Sequence, residues 1–173
     1  MLHRSKTRLV RGDRGTIEGA GAVRPDTERA GDGAGTPQPR GELAVRSWAM
    51  PADTNPDGDI FGGWIMSLMD AAGATTATRL AEGRVVTAAV GNISFLQPVK
   101  VGDVVCCYTD PIRIGRSSIV LAVEVWVLRQ GRGERTKVTA AEFTFVALDE
   151  AGRPRVIAMS ETAAAPNDAG ATV

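Results

Sequence analysis

Histidine is nearly missing from this chain. Of 173 residues only His3 is one, and it stands in a stretch with no apolar periodicity. Its scarcity excludes Ser-His and Cys-His nucleophiles, histidine acid–base chemistry and ordinary zinc sites from the remainder. Cysteine is scarce as well. Cys106 and Cys107 are adjacent, which leaves no disulfide framework and suits a reducing cytoplasm. On a strand the two thiols point to opposite faces. Net charge is missing too, since 20 basic and 20 acidic residues cancel, and no overall field draws the chain to nucleic acid or a membrane surface. No window approaches 18 consecutive apolar residues, so no transmembrane helix is expected. The N-terminal "MLHRSKTRLVRGDRGTIEG" lacks the apolar core of a secretory signal, and acids from Asp13 to Asp32 interrupt any transit-peptide pattern.

What is present divides the chain in three. Residues 1–41, with stretches such as "AGDGAGTPQPRG", have too little apolar surface to offset ordering entropy, and composition predicts a disordered extension. The tail 161–173 reads the same way. Residues 42–160 carry the patterned sequence of one domain. "ELAVRSWAM" predicts a first strand and "PADTNPDGD" a turn-rich loop. A helix is expected from about Gly62 to Ala81. Strand-like runs follow: "VVTAAVGNISFL", "DVVCCYTDPIRI", "SSIVLAVEVWVLR" and "TKVTAAEFTFVALD". In the third, Ile119, Leu121, Val123, Val125 and Val127 alternate with a mixed set, as in a sheet with one face covered by a helix. One strand, one long helix and four strands in hairpin-like succession predict an α+β fold, an antiparallel sheet wrapped around a central helix.

The helix raises the chemical question. At 100° per residue, Phe61, Ile65, Leu68, Met69, Ala72 and Thr76 form a stripe for the sheet, with Trp64 beside it. Asp70 lies almost opposite, among Gly63, Ser67, Ala74, Ala77 and Ala81. No basic residue occurs between Arg46 and Arg79, so this side is small rather than hydrophilic. Asp70 is therefore either the wet residue of an amphipathic helix or a carboxylate set where a backbone or ligand approaches. Gly62 and Gly63 open the same helix, where unused N–H groups and the positive end of the dipole can hold an oxyanion. The alternative for the two glycines is a plain tight turn, and Asp59 reads as an N-cap.

Beyond these features the chain resembles a family. "MPADTNPDGDIFGGWIMSLMD", "GRVVT", "FLQPVKVGDVVCCY", "GRSSI", "VEVWV" and "TFVALDEAGRPR" occur in order and are similar to the YciA-like acyl-CoA thioesterases of the hotdog fold. The resemblance covers roughly residues 42–156. It implies hydrolysis of a broad range of acyl-CoA thioesters with no metal, coenzyme A entering only as part of substrate and product. It also implies homo-oligomers: dimers with active sites shared across the interface, assembled as trimers of dimers. On the same basis Asp70 matches the catalytic aspartate, Gly62 and Gly63 the oxyanion region, and Asp59 a supporting polar position. Arg116, Ser117 and Ser118 of the "GRSS" turn, together with Asn92, match residues that contact coenzyme A. The chain departs from the family at Gly91, where an acidic residue is usual.

Two chemical routes fit such a site: Asp70 activating a water, or Asp70 attacking the thioester directly. Two rival functions compete with hydrolysis. A hydratase of the same fold normally needs a histidine, and a non-catalytic acyl-CoA-binding protein needs no Asp70.

Overall fold

The computed structural model describes residues 37–158, so residues 1–36 and 159–173, with most of the expected extension and the tail, lie outside the described residues. Within them, α1 spans Gly62–Ala81. Its interior has no proline and is rich in alanine and other good helix formers. It ends where Glu82 adopts a left-handed conformation (φ 49°), donating to the Arg79 and Thr78 carbonyls, and Gly83 N–H bonds the Thr78 carbonyl at 3.2 Å.

Five strands form one antiparallel sheet: β1 (Glu42–Trp48), β2 (Val85–Val90), β3 (Val104–Ile114), β4 (Ser118–Leu128) and β5 (Arg135–Ala147), in the order β1-β3-β4-β5-β2. The expected α+β architecture is present, but the hairpin succession holds only for β3, β4 and β5. β2 joins the far edge beside β5. The reason lies after Val90, where the predicted strand breaks yet still follows β5. Gly91 N–H bonds the Glu142 carbonyl at 2.8 Å, Thr139 Oγ1 the Ser94 carbonyl at 2.9 Å, and Leu96 N–H the Val138 carbonyl at 2.8 Å. The chain then passes the start of α1, where Ile60 N–H bonds the Val99 carbonyl at 2.9 Å, and enters β3.

The core lies between α1 and the concave face of the sheet. Ile65, Met69 and Ala72 join the core cluster with the predicted face of β4 and with Cys107, Thr76 shares a 2.8 Å hydrogen bond with Thr109 of β3, and Cys106 faces the other side with Trp126. Gly73 sits so near the sheet that a Cβ there would come within 2.6 Å of the Phe145 ring. Two assignments along the helix are corrected. Ala77 and Ala81 are buried in the core, because the sheet curls around α1 and all five strands touch it. Phe61, expected in the core stripe, is 58% exposed; it precedes the helix and its ring turns back over Gly63.

The convex face holds a buried charge. Glu124 accepts bonds from Trp126 Nε1 (2.9 Å), Lys137 Nζ (2.9 Å) and Arg40 Nε (3.2 Å). Burial alone would push its carboxyl up, but the bonds from Lys137 and Trp126, with the Lys137 charge, outweigh that and hold it below the usual value.

Candidate active site

Asp70 stands in the third turn of α1, half-buried, and points at β2. Thr87 Oγ1 donates a 2.5 Å hydrogen bond to its Oδ1. The register of β2 against β5 shifts between Thr87 and Ala89, a bulge beside the residue that meets Asp70. Nothing in the sequence singles out Thr87. A threonine in a strand-like run carries no signal of a partner 17 residues away.

At the start of α1, the Phe61 carbonyl takes the N–H groups of Trp64 (3.0 Å) and Ile65 (3.4 Å). Those of Gly62 and Gly63 precede any helical carbonyl they could reach. The two glycines differ in the space around them. A Cβ on Gly63 would lie 2.4 Å from the ring of Phe61, an exposed side chain that would have to swing away to admit it. A Cβ on Gly62 would be at an ordinary 3.5 Å from Phe95. Beside Gly62 opens a cleft of about 330 Å³ whose side-chain walls are Ile60, Ile65, Phe95, Leu96, Gln97 and Val99. Phe95 (46% exposed) and Leu96 (65% exposed) are apolar groups facing solvent that sequence reasoning missed, since a strand-like run hides which of its residues leave the sheet.

Asp59 is not the N-cap. Phe61 occupies that position without a side-chain cap, and Asp59 is ion-paired with Lys100 across the mouth of the turn. The turn is set locally: Asn55 Oδ1 accepts the N–H groups of Asp57 and Asp59, each at 3.0 Å.

One protomer does not bring these groups together. Asp70 is eight positions on from Gly62, about 12 Å along a helix axis. Arg116, exposed, and Ser117 form the β3–β4 turn with Ser118 at the first position of β4, level with Val146 and, across β5, with Val86. Asn92 lies exposed beyond the opposite end of β2, next to Gly91, whose open side faces Glu142. β2 is an edge strand whose residues are nearly all exposed, and Val86 and Val90 add apolar surface to Phe95 and Leu96 along that edge.

Comparison with known proteins agrees with this architecture. Residues 57–134 match the family model described as the thioesterase superfamily. The acyl-CoA thioester hydrolase YciA of Salmonella typhimurium is 53% identical over 120 residues, 68% of this chain and 90% of that one. Among solved structures, an aspartate-to-alanine mutant of a hexameric broad-specificity acyl-coenzyme A thioesterase aligns with a TM-score of 0.68 at 54% identity, covering 70% of this chain and 90% of the other. A hexameric thioesterase from Yersinia pestis gives the same TM-score and identity over 71% of this chain and 100% of its own. With such identity over nearly the full length of these relatives, and with the same helix-in-sheet fold, the chain belongs to the YciA-type acyl-CoA thioester hydrolases.

Proposed function

We propose that this protein hydrolyses a range of acyl-CoA thioesters to free acid and coenzyme A, with Asp70 as the general base. The observation that carries the reading is the fixed carboxylate: Asp70 sits in a small-residue environment with one oxygen held by Thr87, and the exposed edge of β2 lies alongside. Its second oxygen is left to take a proton from water. A carboxylate with no cationic partner among the described residues, tethered by one neutral hydroxyl, does little for a merely structural helix and is useful at a reaction centre.

The remaining parts come from a second copy. Two protomers paired through their β2 edges cover Val86, Val90, Phe95 and Leu96, and they set Asp70 of one against the helix start of its partner. The hexameric relatives support assembly, and trimers of such dimers are the arrangement we propose. At that junction the acyl chain enters the cleft beside Gly62. The thioester carbonyl points at the N–H groups of Gly62 and Gly63, and Asp70 deprotonates the attacking water. Each N–H aimed at the developing oxyanion is worth about 3–4 kcal/mol in measured cases. The departing thiolate, of pKa about 8.5, needs no acid, so the scarcity of histidine is chemically acceptable. Arg116 and the Ser117–Ser118 turn, with Asn92, receive the nucleotide end, where a guanidinium suits phosphate. Asp59, tied to Lys100, supports the helix entry rather than reacting. Free, buried cysteines fit a reducing cytoplasm as the place of action.

The test is thiol release from acetyl- to palmitoyl-CoA, with and without chelator. Turnover across the series in both conditions is expected. Tight binding of every acyl-CoA without thiol release would identify a binding protein instead.

A further inference from the structure

The cleft beside Gly62 has one wall, residues 95–99, that belongs to no helix or strand. An irregular segment keeps its shape only where other groups hold it. On the helix side, Ile60 N–H bonds the Val99 carbonyl at 2.9 Å, and Lys100 is ion-paired with Asp59. On the sheet side, Arg129 reaches in from the end of β4. Its Nη1 donates to the Pro98 carbonyl (3.0 Å) and to Asp103 Oδ2 (2.5 Å), and its Nη2 donates to Gln97 Oε1 (3.2 Å). Asp103 is 2% exposed, and its carboxylate also accepts the N–H groups of Lys100 (3.0 Å) and Gln130 (3.2 Å). One buried carboxylate thus fixes both the guanidinium and the turn that follows the wall. A planar fork with several donors suits a bridge among three acceptors, which an ammonium cannot reproduce.

We propose that Arg129, oriented by Asp103, is a positioning residue that shapes the acyl-chain wall at residues 95–99 and thereby sets chain-length preference. The inference rests on the reading of this cleft as the acyl site. Neither side chain touches the reacting atoms. Short acyl groups, held by the helix start, depend little on the wall, and long ones lie along it.

The experiment measures calorimetric affinity of the assembled protein for ethyl-, hexyl- and dodecyl-CoA thioethers, which cannot be hydrolysed. Wild type is compared with Arg129→Ala, Arg129→Lys and Gln97→Ala. Affinity should rise with chain length in wild type. Dodecyl-CoA should bind Arg129→Ala about tenfold more weakly, as though about two methylenes had lost apolar contact, with ethyl-CoA unchanged. Arg129→Lys should fall between. Gln97→Ala, at an exposed position, should show a smaller loss in the same direction, and it keeps the test valid if the Arg129 variants do not fold. Equal losses for all three ligands, no loss, or a flat wild-type response would overturn the proposal. Thiol release by the same wild-type sample tests the hydrolase reading separately.

Discussion

Thr87 Oγ1 and Asp70 Oδ1 are 2.5 Å apart, and this one bond ties the edge strand to the middle of the helix. It orients the carboxylate and consumes a single lone pair of one oxygen. Asp70→Asn keeps size and hydrogen bonding but removes the proposed base, so turnover should fall roughly 100-fold or more with little change in melting temperature. Thr87→Val should cost about tenfold in kcat with KM nearly constant, and Thr87→Ser should restore most of it, because a hydrogen bond to a charged group is worth about 1.5–3 kcal/mol. Near-wild-type rates in Asp70→Asn would remove Asp70 from the mechanism.

The proposed division of the site between protomers predicts complementation. Gly62→Val has room for its Cβ against Phe95 but fills the cleft, and Asp70→Ala lacks the base. Each alone should be inactive. Mixed oligomers from co-expression should recover activity, because some interfaces then join an intact helix start to an intact Asp70. Assemblies that mix fully yet stay inactive would place both halves within one chain.

The thiols should be silent in the folded protein. Both cysteines are fully buried, and burial first, then the neighbouring Cys106, pushes the Cys107 thiol up to about 12. A disulfide reagent at neutral pH should titrate neither thiol in native protein and both after denaturation. Rapid reaction of one native thiol would show that a face of the sheet opens.

Stability should fall in acid through Glu124. Its folded carboxyl lies below the ordinary value of 4.5, so the ionised form stabilises the fold above that value and the contribution is lost as pH drops through the folded value. Glu124→Gln should be less stable at neutral pH and lose less between about pH 5 and pH 3. Denaturant melts at several pH values give the comparison, and parallel curves for the two proteins would contradict it.

The helix limits, the alternation of β4 and the opposed cysteines were legible because each is a local periodic signal. Strand order was not. Which edge receives β2 depends on Gly91–Leu96 following β5, and that contact is set by tertiary pairing rather than by residue pattern. The burial of Ala77 and Ala81 escaped for a related reason: a helical wheel assumes a flat neighbour, and this sheet curls. At the site, Asp70 and the paired glycines stood out as breaks in pattern. Thr87, Lys100 and Arg129 did not, since polar residues in loops and strands are ordinary until their partners are known.

The crossover that carries β2 to the far edge also governs when the domain can close. β2 pairs only with β5 inside the protomer, so Val85 waits for Ala147, a separation of 147 − 85 = 62 residues. β1 likewise waits for β3, with Glu42 opposite Thr109, 109 − 42 = 67 residues on. α1 can coil as soon as it is made, yet its apolar face has no complete cover until the last strand is synthesised. Loop-closure entropy must be met before these distant pairings reward it, which places such a chain among slower folders. During synthesis the nascent chain presents an amphipathic helix without its full cover and, until β5 follows, an unmatched β2, surfaces of the kind through which incomplete chains associate.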